Sequence, residues 1–271
     1  MIAVRQLRAI PTLMKVGFAE AVAYRGEMLI WVLATTMPFV MLSLWSAVAA
    51  GSPVIGAQKT WSSSSFVAYF LAMFIVRQLI ASWACWEINF DVRQGTLSMR
   101  LLRPIHPIVS YAAANLAYLP MRAVVTMPVI IGLLLSSGFE ALPRDWRVWV
   151  LWCLSMIGGW AITFFVNIAV GALSMFMESS TKLMDAWLAG FFIFSGYMFP
   201  LDLFPPWLTW ASTWLPFRFT IGLPVELMTG VHPFAEGLEL LAQQWAWAAA
   251  FATMAIMIWN VGVRRFQAYG G

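Results

Sequence analysis

The sequence predicts an all-α, polytopic membrane protein with six transmembrane helices in a single domain that covers residues 1–271. Two observations of composition and one of pattern lead to this fold class. Hydrophobic residues make up 62% of the chain, charged residues make up 10%, and there are 16 tryptophans. The apolar residues are gathered in long stretches that basic residues border. A soluble domain of this size would leave too much apolar surface in contact with water.

The six predicted spans are apolar stretches of uneven length. A segment needs about 20 residues to cross the hydrocarbon core of a bilayer, and the fifth stretch is the shortest. The serines at 62–65, just before the second stretch, predict a helix N-cap. We find neither an internal repeat nor a linker, so one domain is expected. The spans are Met28 to Ala50, Ser65 to Trp86, Ile108 to Leu135, Val148 to Phe176, Leu183 to Phe199 and Leu240 to Val263.

Residues 1–25 predict an amphipathic helix that lies in the membrane interface. Apolar side chains recur there at helical spacing, while basic and polar residues occupy other faces. Pro11 interrupts the pattern, and an irregular tail is therefore the alternative interpretation. A signal peptide is not expected, because no continuous apolar segment follows the first charges.

The basic residues predict that both termini face the cytoplasm. With six spans, ten Lys and Arg residues fall on the side of the N-terminus and four fall on the other side. Because the net charge of +4 is dispersed along the borders of apolar segments, membrane lipids are expected partners and nucleic acid is not. The ten are Arg5, Arg8, Lys15, Arg25, Arg93, Arg100, Arg103, Lys182, Arg264 and Arg265, and the four are Lys59, Arg144, Arg147 and Arg218.

Residues 200–239 predict short interfacial or re-entrant helices on the outer side, before the last span. The prolines of this segment forbid one continuous helix. Trp207, Trp210 and Trp214 follow one another at spacings of three and four residues, which places three indoles on one helical face. A helix that contacts lipid headgroups and a plain aromatic belt are both compatible with this pattern.

The segment 88–107, INFDVRQGTLSMRLLRPIHP, connects the second and third spans on the cytoplasmic side. Gly95 permits a tight turn, Thr96 can cap a helix, and Pro104 can end it. Between them lies a short amphipathic helix of about two turns, which is marginal alone in water and needs a surface to lie on. The bilayer and a soluble partner subunit are the two candidate surfaces. The helix is built from Leu97, Met99, Leu101 and Leu102 with Arg100 and Arg103.

The same segment resembles the first cytoplasmic loop of ATP-binding-cassette exporter permeases, of the six-span class that also moves polysaccharides and drugs. The residues that carry the resemblance are Arg93 to Leu97 and Leu101 to Ile105. The likeness extends over nearly the whole chain to a subfamily of bacterial permeases. It includes Tyr24 to Glu27, Val76 to Leu79, Ser82 to Trp83, Trp86 to Glu87, Pro200 to Leu208, Leu215 to Arg218 and Arg264 to Gly271.

In such permeases the loop is a coupling helix, seated in a cleft of the nucleotide-binding subunit. The resemblance therefore implies ATPase partner subunits, a second permease subunit that is identical or related, and a place in the bacterial cytoplasmic membrane. The chain contains no G-x-x-x-x-G-K-S/T sequence, so ATP would be bound by the partner and no cofactor or enzymatic activity is expected in this chain. The implied coupling residues are Arg93, Gly95, Thr96, Leu97, Arg100, Leu101 and Arg103.

Two arginines, Arg77 and Arg122, lie near the middle of the second and third predicted spans. A guanidinium at that depth costs about 2.5–3.5 kcal/mol on insertion scales, so each should face a cavity or a partner. Carbonyls freed by Pro120 and Pro128 are candidate partners for Arg122. One hypothesis places both arginines on a substrate path for an anionic or headgroup-bearing cargo, and the other assigns them to bonds between helices. Asn167 is expected to bond across helices.

Other function classes remain open. An ion-coupled secondary transporter usually has carboxylates or repeats near the midplane, whereas the predicted spans have no deep carboxylate. A polytopic membrane enzyme needs a nucleophile with a base, and the two histidines are far apart in the sequence. A purely structural anchor is disfavoured because inert spans seldom keep buried arginines. His232 with Asp202, Glu226 and Glu236 matches no metal-ligand spacing, so no catalytic or metal site is expected.

Overall fold

The structure is a computed structural model that describes residues 2–23, 26, 35–137, 142–178 and 180–266. Of residues 2–10, 20 and 21 it describes only the backbone. The helices, in chain order, are α1 (Ile2–Ala23), α2 (Met37–Gly51), α3 (Ser63–Ile80), α4 (Ala84–Arg93), α5 (Leu97–Leu101), α6 (Pro107–Ala117), α7 (Leu119–Ser137), α8 (Trp146–Ala172), α9 (Thr181–Phe194), α10 (Pro206–Thr213), α11 (Leu223–Met228) and α12 (Phe234–Arg265). Strands β1 (Val54–Ile55) and β2 (Thr60–Trp61) form an antiparallel hairpin between α2 and α3.

The all-α class is confirmed, but a count of six spans is not. Residues 28–34 of the first predicted span lie outside the described residues, and its described part is the 15-residue helix α2. The fifth predicted span is the 14-residue helix α9, which ends at Phe194 rather than Phe199. Four helical stretches of the described chain are long and apolar enough to cross a membrane. These are Ser63–Arg93, Pro107–Leu135, Trp146–Met175 and Phe234–Arg265.

The boundaries of several predicted spans need correction. The second span is not one helix, because it is broken between Ile80 and Ala84. The third span changes helix at Tyr118, and the last one begins at Phe234 rather than Leu240. The predicted N-cap is confirmed, since the hydroxyl of Ser62 accepts a hydrogen bond from the backbone N–H of Ser65 at 3.3 Å.

Two of the four long stretches are central and two are peripheral. In the most apolar part of each stretch, 72% of the residues are buried in α3–α4 and 56% in α8, compared with 17% in α6–α7 and 22% in α12. Helix α8 packs against α4, α11 and α12, and α3 packs against α2 and α7. A Cβ at Gly159 of α8 would lie 2.2 Å from the carbonyl oxygen of Thr220, so only glycine lets the π-helical turn Arg218–Gly222 approach α8 this closely.

Helix α1 is continuous through Pro11, so the interpretation of an irregular tail is wrong. It packs against α6, where a Cβ at Gly17 would lie 2.8 Å from the Cβ of Ala117. Val16 and Phe18 on other faces are exposed. An exposed apolar surface suits a helix at the membrane interface, and that location stays a prediction.

The predicted short helices before the last span are present. A 3-10 turn (Leu201–Leu203), α10, the π-helical turn and α11 follow one another before α12 begins. Trp207, Trp210 and Trp214 are 70%, 68% and 69% exposed, so the indole face predicted for α10 is not packed against the described part of the chain. Such a face fits the headgroup layer of a membrane.

The hairpin β1–β2 is fastened to the segment after α9 by Asp202. The carboxylate accepts hydrogen bonds from the backbone N–H of Gln58 at 2.7 Å, the backbone N–H of Lys59 at 3.2 Å and the indole N–H of Trp61 at 2.7 Å. Nearby, the indole of Trp45 in α2 donates to the carbonyl of Met198 at 3.2 Å. One end of α2 and the end of α9 are thereby joined.

Candidate functional site

The segment between α4 and α6 contains the residues to which the sequence assigned coupling. Helix α4 ends at Arg93, a turn follows, and α5 runs from Leu97 to Leu101. Gly95 has a φ of +72°, the left-handed region in which a side chain is unfavourable, and thus makes the predicted turn. With five residues, α5 is shorter than the predicted two turns, and it ends before Pro104. We call residues 91–103 the coupling loop.

Leu97 anchors the coupling loop in the protein interior. Its side chain is 0% exposed and belongs to an apolar cluster that draws on four other helices. The cluster includes Ile88 of α4, Tyr111 of α6, Phe164 of α8 and Trp259 of α12. A displacement of Leu97 therefore reaches both central and peripheral helices through direct packing.

Asp91, the first residue of the coupling loop, connects the loop to the helices around it. Its carboxylate is buried and accepts a hydrogen bond from the Tyr111 hydroxyl at 2.6 Å and from the Thr96 hydroxyl at 2.8 Å. Nε of Arg100 lies 2.7 Å from Oδ2 of the same carboxylate, and its Cζ lies 4.6 Å from the ring centroid of Tyr111. The carboxylate thus links α4, α5 and α6. Thr96 occupies the predicted N-cap position of α5, but its hydroxyl donates to Asp91 and makes no cap bond.

Arg93 of the coupling loop and Asn89 of α4 both bond to the segment between α8 and α9. The guanidinium of Arg93 donates to the carbonyl of Glu178. The side-chain amide of Asn89 donates to the hydroxyl of Ser180 at 3.0 Å, and both of these groups are buried. Two loops at the same end of the molecule are therefore held together.

The opposite face of the coupling loop is uncovered. Met99 is 65% exposed and Leu102 is 82% exposed, and Arg103 beside them is also exposed. Leu101 is half-buried. A braced backbone that presents two large apolar side chains and a cation has the composition of a small protein-binding patch.

The seven predicted coupling residues lie in the last residue of α4, the turn, α5 and the residues just after it, and they have different orientations. Leu97, Thr96 and Arg100 contact the body of the chain, whereas Arg93 and Arg103 lie at its surface. Sequence reasoning missed Asp91 and Tyr111. A signal was present for the first of them, since Asp91 is the only acidic residue of the segment 88–107.

Arg122 donates a hydrogen bond to the backbone where the second span is interrupted. Its Nη1 donates to the carbonyl of Ala81 at 2.7 Å, and the residue is buried. The expected partners, the carbonyls freed by Pro120 and Pro128, are therefore not the ones used. A carbonyl beyond a helix end has lost its helical donor, and at membrane depth it needs another one.

Asn167 satisfies the other side of the break, as predicted for a bond across helices. Its Oδ1 accepts from the backbone N–H of Cys85 at 3.2 Å, and its Nδ2 donates to the carbonyl of Thr163 at 2.9 Å.

Arg77 lies in the last turn of α3, just before the break, and is half-buried. Its Cζ lies 5.3 Å from the ring centroid of Phe191, a cation–π distance.

Two acidic residues of the outer segment, Glu226 and Glu236, contact basic side chains. Oε2 of Glu226 lies 2.9 Å from Nη2 of Arg218 and 3.0 Å from Nε2 of His232, whose Nδ1 lies 2.9 Å from Oε1 of Glu236. Burial alone would raise the pKa of Glu226, but Arg218 and His232 lower it to about 2. Within the described ranges no group of ligand-type side chains could hold a metal ion.

A comparison with protein families identifies relatives of the chain. A family model described as "ABC-2 family transporter protein" matches residues 28–270. The match includes the coupling loop, the broken second span and the outer segment. No curated protein gives a significant match.

Proposed function

The chain belongs to the ABC-2 family of transporter membrane proteins, and from this premise we propose that it is the permease of an ATP-driven exporter whose ATPase subunits act through the coupling loop. The permease works as a dimer with an identical or related chain. It lies in the bacterial cytoplasmic membrane, with both termini in the cytoplasm. The chain binds no nucleotide itself.

One observation carries the proposal: the coupling loop is braced on one face and uncovered on the other. Asp91 and Leu97 fix the inner face to the long helices. Met99 and Leu102 on the outer face are large apolar side chains that lie next to each other and are exposed, which is typical of a surface that binds a partner. A loop that only anchored the chain to lipid headgroups would require neither the buried carboxylate nor the buried leucine.

The bracing allows motion to pass from a partner to the spans. A loosely held loop would absorb the movement of a docked subunit by bending. A loop held by a three-donor carboxylate and an apolar cluster moves as a rigid body with the helices to which it is fastened. Closure of the ATPase subunits around ATP then shifts α4, α6, α8 and α12 together.

The test changes the exposed side chains of the coupling loop and keeps the contacts of Asp91 and Leu97. The purified permease is reconstituted with its ATPase subunit, and the stimulation of ATP hydrolysis by the permease is measured for Met99→Glu and Leu102→Glu. We expect each variant to lose most of the stimulation, because a buried unpaired carboxylate costs more than the contact contributes. Protein yield and thermal unfolding should stay unchanged, since both side chains are exposed.

Ile55→Glu is the matched control. Ile55 lies in the hairpin at the other end of the second span and is 84% exposed, so the substitution adds the same charge to an equally exposed position. Stimulation should be unaffected. Full stimulation in both loop variants, or an equal loss in Ile55→Glu, would show that the ATPase does not act through this face.

We propose different roles for the two arginines. Arg122 supports the break, because it donates to the Ala81 carbonyl. Arg77 is the better candidate for the cargo path, since its guanidinium lies over the ring of Phe191 and donates no hydrogen bond to the described residues, which leaves its donors available for an anionic group. Arg122→Gln is expected to lower thermal stability by about 1–3 kcal/mol, whereas Arg77→Gln should assemble normally.

Transport distinguishes these roles. Proteoliposomes with nitrobenzoxadiazole-labelled phosphatidylglycerol or phosphatidylcholine report ATP-driven movement of an anionic and a zwitterionic lipid. Arg77→Gln should slow movement of the anionic lipid selectively. Equal rates for wild type and Arg77→Gln, with normal assembly, remove the cargo role of this residue.

A further inference from the structure

A groove lies where the coupling loop meets the end of α12. Its volume is about 450 Å³, and its walls include Arg103, Ile105 and His106 on one side and Trp259, Asn260 and Arg264 on the other. This volume lies within the range of about 300–1,000 Å³ that small-molecule sites occupy. Met99 and Leu102 are not part of its lining, so the groove lies beside the surface proposed to meet the ATPase and shares Arg103 with it.

The charged groups around the groove are cations, and the imidazole of His106 lies between them and the start of α6. Arg103 and Arg264 are both exposed and bring two guanidinium groups to one cavity. Nδ1 of His106 accepts a hydrogen bond from the backbone N–H of Ile108 at 3.3 Å, so the neutral ring has its proton on Nε2. Burial lowers the pKa of His106, which favours that neutral, donating form. The lining contains no carboxylate.

The position of the groove indicates the source of its ligand. His106 caps the start of α6 and Arg264 lies in the last turn of α12, so the groove sits where two long apolar helices end at the same level. Ile105 and Val263 supply an apolar wall beside the cations. Cations at the boundary of hydrocarbon and water, with apolar side chains next to them, match an anionic phospholipid.

We infer that this groove binds the phosphate headgroup of an anionic phospholipid, held by Arg103 and Arg264. The inference goes beyond the proposed transport function and does not depend on it, because the site is formed by this chain alone. A bound lipid would lie beside Trp259, which belongs to the cluster that holds Leu97. The lipid composition of the membrane would then influence how firmly the coupling loop is held.

The experiment measures lipid binding to the purified permease alone, without ATPase. Native mass spectrometry in detergent compares dioleoylphosphatidylglycerol with dioleoylphosphatidylcholine at equal concentrations. In the groove variant Arg103→Gln/Arg264→Gln we expect the preference for phosphatidylglycerol to fall by about 25-fold, about fivefold for each cation lost. Arg103→Lys/Arg264→Lys should retain most of the preference and shows that the groove still folds.

The matched control is Lys182→Gln/Arg265→Gln. It removes the same two charges at the same end of the molecule, but neither residue lines the groove, and Cζ of Arg265 lies 5.8 Å from the ring centroid of Phe176. Its preference for phosphatidylglycerol should change less than twofold.

Three results would overturn the inference. The first is an equal loss in both double variants, which would indicate only general attraction by surface charge. The second is an unchanged preference in the groove variant, which would show that Arg103 and Arg264 do not hold the headgroup; if the same variant also fails to co-purify with the ATPase in a separate experiment, the groove belongs to an acidic segment of that partner. The third is displacement of phosphatidylglycerol by an equal concentration of glycerol phosphate, which would assign the site to a soluble anion.

Discussion

The bracing of the coupling loop by Asp91 can be tested by removing the carboxylate. In Asp91→Ala, the hydroxyl of Tyr111, the hydroxyl of Thr96 and the guanidinium of Arg100 all lose their shared acceptor. The backbone of α4 should be unaffected, because alanine is a good helix former. We expect the coupling loop to detach from the body of the chain more often, while the spans stay folded.

The magnitude follows from the three contacts. Tyr111 is 1% exposed, so its unsatisfied hydroxyl costs about 1–3 kcal/mol. The pair with Arg100, whose side chain is 29% exposed, contributes about 0.5–1 kcal/mol after solvent screening. With about 0.5–1 kcal/mol for Thr96, the sum is about 3 kcal/mol, or about 150-fold in the population of the detached loop. Asp91→Asn keeps one acceptor oxygen and should give an intermediate effect.

Hydrogen exchange and ATPase stimulation report the two consequences. Amide exchange in residues 94–103 should accelerate by about 100-fold in Asp91→Ala, and stimulation of the partner ATPase should fall in parallel. Glu178→Gln is the control, because it removes a carboxylate at the same end while the bond from Arg93 uses only the backbone carbonyl of Glu178. Unchanged exchange in the loop with full stimulation in Asp91→Ala would refute the bracing argument.

Three further predictions concern other parts of the chain. Gly95→Ala should weaken ATPase stimulation through backbone strain of about 1 kcal/mol, and Gly95→Asn should be tolerated, because φ is +72° and open space surrounds the position. Asp202→Ala should make residues 54–61 sensitive to limited proteolysis, since the hairpin loses three hydrogen bonds, and Asp202→Asn should be partly protected. Glu226 has a pKa of about 2 against an ordinary value of 4.5, so its ionised form stabilises the fold by about 3 kcal/mol above pH 4.5. That contribution is lost as the pH falls from 4.5 to 2, and the difference in melting temperature between wild type and Glu226→Gln should shrink over the same range.

The position of the coupling loop could be predicted from the sequence because its signals are local. Gly95 marks a turn, Pro104 marks an end, and the arginines mark the side of the membrane. Its bracing could not be predicted, because Asp91 depends on Tyr111, which comes from the next long helix and reaches the carboxylate only after folding. For the same reason the hydroxyl of Thr96 donates to the Asp91 carboxylate and does not cap α5.

The break in the second span shows a similar limit. Ala81, Ser82 and Trp83 contain neither glycine nor proline, so nothing local indicates that the helix stops there. The interruption is supported by Arg122 and Asn167, which belong to other helices. Sequence reasoning identified both of these as residues in need of a polar partner within the membrane. It missed the backbone groups that supply one, because those groups become available only when the helix is broken.

The bonds made by Asp202 and Trp45 restrict the kinds of motion that remain open to this permease. They join one end of α2 to the segment after α9, at the end of the second span that is opposite to the coupling loop. If the helices are fixed to one another at this end and displaced at the other end, they rotate as a rigid body about the fixed end. Displacements should therefore grow steadily with distance from Asp202, and spin-label pairs placed along α3 would record that gradient.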